Sequence, residues 1–288
     1  MNYIIEAQNI KDTYKTILNR AKEFKEKRIY PTYKASCALF FEEPSTRTRL
    51  SFEKAAKNLG CETYYIQGNF SSAVKGESFF DTLLSFKKIG IDIVVFRTSD
   101  IVFDYEPLLN IDIGLINAGD GTHEHPSQGL LDVFTLLEKV NSLENQNILY
   151  VGDVYHSRVF RSGAYFFKLE GANIGVCGYP SFIPKDYPFM DKAFTNLDEA
   201  LDWAHHVIAL RIQKERHKEA YNLESYFDMY GITKERYNKI RGFLMHPGPV
   251  NRDVDIDGDL LYKDKSLIAN QIENGVFVRM AMIEYVLG

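Results

Sequence analysis

The segment ALFFEEPSTRTRLSFEKAAKNLG, residues 38–60, decides the fold class of this chain. It begins as an apolar run of strand length and ends as a run with helical periodicity. The helix is indicated by the i, i+3, i+4, i+7 spacing of Phe52, Ala55, Ala56 and Leu59. Gly60 follows at once, which is typical of a helix end. A strand that leads directly into a helix is the repeating unit of parallel α/β sheets.

The five residues Ser45-Thr46-Arg47-Thr48-Arg49 stand at the start of this predicted helix. The unpaired N–H groups and the positive dipole end of a helix N-terminus favour phosphate, and hydroxyl and guanidinium groups add further donors there. A capped helix with solvated arginines explains the same residues. The segment by itself leaves both interpretations open.

Strand-like and helix-like runs alternate along the rest of the chain. The predicted strands are 36–41, 62–67, 91–96, 113–118, 147–151, 173–177, 206–210 and 243–245, and the predicted helices are 49–59, 78–89, 127–139 and 158–170. This alternation predicts an α/β protein with two doubly wound parallel-sheet domains of similar size. We expect a first domain over 1–136 plus 275–288 and a second over 145–274, separated by the polar stretch 141–146.

The composition excludes several classes of protein. With 288 residues, 45% of them hydrophobic and 25% charged, the chain is globular, and its net charge of −5 argues against a nucleic-acid partner. No apolar run approaches the about 20 residues that span a bilayer, and the first residues do not resemble a signal peptide. We therefore expect a cytoplasmic protein with no membrane contact. Three scattered cysteines predict neither a disulfide framework nor a metal site.

Basic residues repeatedly follow the predicted strands. These residues are Arg47, Arg97, His125, Arg158 and Arg211. Ligands of open parallel sheets bind outside the carboxyl ends of the strands, so the pattern predicts one site for a strongly anionic ligand.

Three further segments allow more than one interpretation. His123 and His125 are possible metal ligands, but no third ligand stands at a recognisable spacing, and a neutral His125 that donates a hydrogen bond, with Gln128 one turn on, fits better. The polar stretch 71–77 has the composition of a solvated loop. Two prolines stiffen 246–252, which either holds backbone carbonyls toward a ligand or is a plain connection. The GxGxxG pattern of a dinucleotide site is absent.

Taken in order, these motifs resemble the aspartate and ornithine transcarbamylase family over nearly the whole chain. The matching segments are 45–49, His125-Pro126-Ser127-Gln128, 211–216, His246-Pro247-Gly248-Pro249 and 274–279. Ornithine enzymes of the family carry His-Cys-Leu-Pro and Ser-Met-Gly segments, which this sequence lacks. The resemblance therefore implies carbamoyl transfer from carbamoyl phosphate to L-aspartate, without a cofactor or a metal.

The resemblance also implies roles for individual residues. The carbamoyl phosphate ligands would be Ser45, Thr46, Arg47, Thr48, Arg97, His125, Gln128, Ser71, Lys75, Pro247 and Gly248, of which Arg47, Thr48, Arg97, His125 and Lys75 are catalytic. The aspartate ligands would be Lys75, Arg158, Arg211 and Gln213. Arg49 is expected to support the site from behind.

Family membership further implies an assembly. The loop with Ser71 and Lys75 would reach into the active site of a neighbouring subunit in a homotrimer. The resemblance thus favours a functional loop over the solvated loop that its composition suggests. Whether regulatory or dihydroorotase-type chains join the trimer is not determined by the sequence. The alternative to an enzyme is a non-catalytic protein that binds an anionic metabolite, with the phosphate site kept and the chemistry lost.

Overall fold

The computed structural model describes residues 2–67, 77–102, 104–212 and 223–288. The chain divides into two compact units, Met1–Leu131 with Glu273–Gly288, and Asp132–Ile272. Each unit contains a five-stranded sheet in which all the strand pairs are parallel. The predicted class, α/β with two parallel-sheet domains, is confirmed. The expected boundary between 136 and 145 stays a prediction.

The first unit has a sheet with the strand order β1-β5-β4-β2-β3. Its strands are β1 (Tyr3–Ile4), β2 (Ser36–Phe41), β3 (Glu62–Gln67), β4 (Ile93–Thr98) and β5 (Gly114–Asp120). The helices along this part of the chain are α1 (Tyr14–Lys27), α2 (Thr46–Asn58), α3 (Phe79–Ile89), α4 (Glu106–Leu109) and α5 (Pro126–Leu137).

The second unit has a sheet with the strand order β10-β9-β6-β7-β8. Its strands are β6 (Asn147–Val151), β7 (Asn173–Cys177), β8 (Lys192–Phe194), β9 (His206–Ala209) and β10 (Leu244–Met245). Its helices are α6 (Arg158–Leu169), α7 (Leu197–Trp203), α8 (Leu223–Tyr230) and α9 (Lys234–Lys239). The last helix, α10 (Ile268–Leu287), lies mostly in the first unit.

Both sheets change direction at an inner strand. From β2 the chain adds β3 on one side and β4 on the other, and from β6 it adds β7 on one side and β9 on the other. At such a switch point the connections diverge and leave a crevice at the carboxyl ends of the two strands. The residues at the carboxyl ends of β2 and β4 in one unit, and of β6 and β9 in the other, therefore stand at these crevices.

The apolar runs read from the sequence are the sheet cores. Ile93, Val94, Val95 and Phe96 of β4 are all fully buried, as expected for a parallel strand that is covered on both faces. None of the helices in the described part of the chain combines the length and the apolarity that crossing a bilayer requires.

Candidate active site

The Ser45–Arg49 motif lies at the start of α2, as the sequence predicts. Ser45 is the N-cap residue, in an extended conformation with φ −155° and ψ 90°. Within the described residues its side chain caps none of the first N–H groups of α2. Thr46 and Arg47 are exposed, whereas Thr48 is buried. The helix start therefore presents backbone donors, hydroxyl groups and a guanidinium to an anion.

Arg97 lies on β4, directly beside the end of β2. Its Cα pairs in register with Phe41, and its backbone carbonyl accepts a hydrogen bond from the Glu42 N–H at 2.8 Å. The Arg97 Nε donates to Glu43 Oε2 at 3.1 Å. The Glu42 carboxylate accepts from the Ser99 N–H at 3.1 Å. A guanidinium, the group best suited to bidentate contacts with an anion, is thus held at the strand end by a carboxylate.

His125 and Gln128 follow β5, the other neighbour of β4. Both are buried, with 4% and 7% of their surface exposed. The Gln128 N–H donates to the His125 carbonyl at 2.9 Å, so the two residues share the first turn around α5. The His125 Nδ1 lies 3.4 Å from the Ser127 hydroxyl. Ser45–Thr48 and His125 follow β2 and β5, and Arg97 lies near the end of β4 between them, so all these residues stand at the same edge of the sheet.

Asp120 anchors the turn that carries His125, a role that the sequence reading missed. This fully buried carboxylate accepts hydrogen bonds from Asn117 Nδ2 (2.8 Å), the Val102 N–H (3.0 Å), the Glu124 N–H (3.0 Å) and His123 Nδ1 (3.1 Å). Burial would raise the pKa of Asp120, but these donors outweigh it and leave the pKa lowered. His123 is thus engaged in fixing the turn.

The pKa of His123 is shifted in the opposite direction to that of Asp120. Burial alone would lower it, but the hydrogen bond to Asp120 and the nearby carboxylates of Glu124 and Glu6 raise it. The contact is an ion pair whose two members favour each other's charged form.

Arg279 supports the site from behind, a role that we had expected of Arg49. Arg279 is buried, donates to the Ser51 and Ser127 hydroxyls, and stacks over the Phe52 ring at 5.0 Å. It therefore contacts both α2 and α5 close to their first turns. The Arg49 guanidinium instead lies 4.6 Å over the Tyr65 ring. The sequence signal for Arg279 was its place in the 274–279 motif, to which no role had been given.

The second unit gathers basic residues at its own switch point. Arg158 is the first residue of α6, directly after the N-cap Ser157, whose hydroxyl accepts from the Phe160 N–H at 3.1 Å. Arg211 stands two residues after β9. Gly152 lies between these segments with φ +126°, and a Cβ there would be 2.5 Å from the Leu210 carbonyl oxygen. Only glycine permits this close approach, which brings the residues after β6 and β9 together.

Pro247 and Gly248 follow β10, the next strand beyond β9. Gly248 has φ +69°, in the left-handed region that glycine tolerates best. The predicted residues Arg158, Arg211, Pro247 and Gly248 thus lie at one sheet edge of the second unit. Ser71, Lys75 and Gln213 lie outside the described residues.

Two protein-family models match the chain, and together they cover almost all of it. The aspartate/ornithine carbamoyltransferase carbamoyl-P binding domain matches residues 4–138, and the Asp/Orn binding domain of the same family matches residues 144–286. The chain belongs to the aspartate/ornithine carbamoyltransferase family.

Similar proteins within this family are named for aspartate. The aspartate carbamoyltransferase catalytic subunit of Aquifex aeolicus is 54% identical over 273 residues, which is 93% of each chain. That of Thermus thermophilus is 39% identical over 285 residues, 98% of this chain and 94% of the relative. Among solved structures, the M. jannaschii aspartate transcarbamoylase catalytic subunit matches with a TM-score of 0.85 at 30% identity, over 99% of this chain and 98% of that one.

Proposed function

We infer that this chain transfers the carbamoyl group of carbamoyl phosphate to the amine of L-aspartate, giving N-carbamoyl-L-aspartate and phosphate in de novo pyrimidine synthesis. The observation that carries this inference is the edge of the first sheet, where Ser45–Thr48, Arg97 and His125 stand at the carboxyl ends of three adjacent strands. The two relatives described above that are named for this activity, at 54% and 39% identity, support the same reaction.

The first unit supplies the phosphate and carbonyl ligands. The N–H groups and hydroxyls of Ser45, Thr46 and Thr48, together with the Arg47 guanidinium, bind the phosphate. Arg97 bridges the phosphate and the carbonyl oxygen, to which Thr48 and His125 also donate. That oxygen gains charge when the amine attacks, and one such donor can be worth about 3 kcal/mol, or about a hundredfold in rate.

The second unit supplies the ligands of aspartate. Arg158, Arg211 and Gln213 bind its two carboxylates. The carbonyls of Pro247 and Gly248 hold the carbamoyl nitrogen, a task for which Gln128 of the first unit is the further candidate. Such positioning can supply about 7–11 kcal/mol of the barrier, so the reaction needs no covalent nucleophile. The departing phosphate accepts the proton of the attacking amine.

The substrate assignment is tested by offering the purified chain carbamoyl phosphate with either aspartate or ornithine. We expect phosphate and N-carbamoyl-aspartate in equal amounts with aspartate. Equal turnover with ornithine would overturn the assignment. Arg211→Ala should raise the KM for aspartate by about a hundredfold, the value of one charge-assisted contact of about 2.7 kcal/mol. The control is Arg241→Ala, which removes an arginine that donates to the Ala204 and Trp203 carbonyls instead.

The phosphate assignment is tested on α2. Arg47→Ala should abolish measurable turnover, because it removes the cation at the helix start. Lys54→Ala on the same helix removes an exposed cation beyond the first turn and should leave turnover within about twofold, since surface charges contribute little. Equal losses in the two variants would indicate a general electrostatic effect in place of a phosphate contact.

The assembly that we propose is a homotrimer with shared active sites, in which Ser71 and Lys75 serve the neighbouring chain. In its support, β3 is the outermost strand of its sheet and exposes Tyr64 and Tyr65, while Leu50 on α2 is half exposed. Exposed apolar side chains along an edge strand are a surface that a second copy can cover.

Hybrid assemblies test the shared site. Lys75→Ala and Arg47→Ala chains should each be inactive alone, and mixing them should restore activity, since some sites then receive both intact residues. No recovery in hybrids whose mixed composition is verified by mass spectrometry would refute sharing. The native mass, measured for the pure protein and in extract, tests the trimer and any regulatory or dihydroorotase-type partner. A cytoplasmic location stays a prediction.

A further inference from the structure

His246 is a buried histidine to which the proposed chemistry gives no task. It follows β10 directly, and 1% of its surface is exposed. Its two ring nitrogens and its backbone N–H all make hydrogen bonds within the second unit. The Pro247–Gly248 segment thus follows a buried imidazole whose two ring nitrogens are both engaged.

The hydrogen bonds of His246 define its tautomer. Its Nδ1 lies 2.8 Å from the Gly248 backbone nitrogen. A backbone N–H can only donate, so Nδ1 is the acceptor and carries no proton. The proton is therefore on Nε2, which lies 3.2 Å from Asp255 Oδ2 and donates to it.

Gly248 makes a hydrogen bond that neither of its neighbours could make. Pro247 and Pro249 have no backbone N–H, so the Gly248 N–H is the single main-chain donor of the three residues. The Pro247–Gly248 peptide is trans, and in a trans peptide the C=O and N–H point in opposite directions. When the Gly248 N–H points at the imidazole, the Pro247 carbonyl must point away from it.

A chain of buried polar groups holds the imidazole in place. Asp255 Oδ2 also accepts from the Asn251 N–H at 2.8 Å, which ties the far end of the loop to the same carboxylate. On the other side, the His246 N–H donates to Gln271 Oε1 at 2.9 Å, and Gln271 Nε2 donates to Asp132 Oδ1 at 2.7 Å. Asp255, Gln271 and Asp132 are all at most 3% exposed. Groups so deeply buried and connected have little freedom to move.

We propose that His246 is a positioning residue, which aims the Pro247 carbonyl at the carbamoyl nitrogen through its Nδ1 bond to Gly248, with its tautomer set by Asp255. This inference rests on the proposed function, because it assigns the carbamoyl nitrogen as the group that the carbonyl meets. His246 itself does not touch the substrate.

Two substitutions test the contacts of the two ring nitrogens separately. His246→Asn keeps an acceptor near the Nδ1 position and loses the contact with Asp255. His246→Gln keeps a donor near the Nε2 position and loses the acceptor for Gly248. We expect His246→Gln to lower kcat/KM for carbamoyl phosphate by about a hundredfold, the effect of a misplacement of about 1 Å, and His246→Asn to stay within about tenfold of the original protein. The KM for aspartate should change by less than about threefold in both.

A merely structural role would give a different pattern. In that case the activities of the two variants would follow their thermal stabilities, and the KM values for both substrates would rise together. Equal activity of His246→Gln and His246→Asn would overturn the proposal. An unsubstituted chain without carbamoyl transfer would instead overturn the proposed function, so the two failures are distinguishable.

A second measurement does not depend on whether the variants fold. In the unsubstituted protein labelled with ¹⁵N-histidine, the ring nitrogens of His246 should show a proton on Nε2 and none on Nδ1. A proton on Nδ1 would overturn the proposal, because Gly248 could not then donate to it.

Discussion

Gly163→Ala should destabilise the second unit when residue 150 is tyrosine and stabilise it when residue 150 is phenylalanine. Gly163 lies within α6, and an ideal Cβ there would be 2.3 Å from the Tyr150 hydroxyl oxygen and 3.4 Å from the ring carbon that bears it. Tyr150 is fully buried on β6 and cannot swing away. Gly163→Ala therefore overpacks the interface between α6 and β6, which should cost about 1–3 kcal/mol.

Removing the Tyr150 hydroxyl should reverse this effect. Among the described residues this buried hydroxyl has no hydrogen-bond partner, and its burial raises the pKa of Tyr150, so it stays protonated. Tyr150→Phe relieves an unsatisfied polar group and should stabilise the unit by about 1–3 kcal/mol. The added methyl then meets ring carbon at an ordinary distance, and alanine is better than glycine in a helix by about 0.5–1 kcal/mol. In a chain that already carries Tyr150→Phe, Gly163→Ala should stabilise.

The assay is urea unfolding followed by the fluorescence of Trp203, the single tryptophan, which lies in the second unit. Tyr230→Phe is the matched control, because it removes a hydroxyl that donates to the Thr195 carbonyl at 3.0 Å and should destabilise. Because α6 begins with Arg158, Gly163→Ala alone should also raise the KM for aspartate. The reasoning is refuted if Gly163→Ala has the same sign in both backgrounds.

Three further perturbations probe the first unit. Arg97→Lys keeps the charge but loses the planar guanidinium, and kcat should fall about a hundredfold in the turnover assay; a fall below about threefold would contradict an oxyanion contact. His123→Gln removes an imidazolium that pairs with Asp120. Burial lowers the pKa of His123, but the hydrogen bond to Asp120 outweighs burial and the net pKa is raised. The pair therefore stabilises the fold fully below the ordinary pKa of about 6.5, and this stabilisation is lost as pH rises through the raised pKa. Calorimetry should therefore show the Tm difference from the unsubstituted protein shrinking above pH of about 6.5, and a growing difference would be the wrong sign. Arg279→Lys cannot reach both α2 and α5 and should weaken carbamoyl phosphate binding about tenfold by titration calorimetry, with unchanged affinity as the contrary result.

The sheet strands were the most predictable part of the fold. The predicted strands 36–41, 62–67, 147–151 and 173–177 coincide with β2, β3, β6 and β7. These are continuous apolar or β-branched runs bounded by polar residues, so a short window of sequence is enough to recognise them. The two-residue β1 and the three-residue β8 were not predicted, because such short edge strands exist only by pairing with a neighbour.

The candidate site was predictable where a charged residue follows a strand directly. Arg97 and Arg211 were found in this way, since the carboxyl edge of a parallel sheet is a property of chain direction. Asp120 and Arg279 were not found, because their roles depend on partners from other elements. Asp120 accepts from Val102, and Arg279 from the last helix reaches Ser51, 228 positions away in the sequence.

The amino-acid sequence by itself determined the fold class, the strands other than β1 and β8, four of the helices and the charged residues at the strand ends, because hydrophobic period and motif spacing are properties of near neighbours in the chain. Only the tertiary structure decided which polar groups meet. The tautomer of His246, the four donors around Asp120 and the approach of Gly163 to Tyr150 follow from register and packing between distant segments. Those contacts depend on distances of a few tenths of an ångström, which no local pattern of residues specifies.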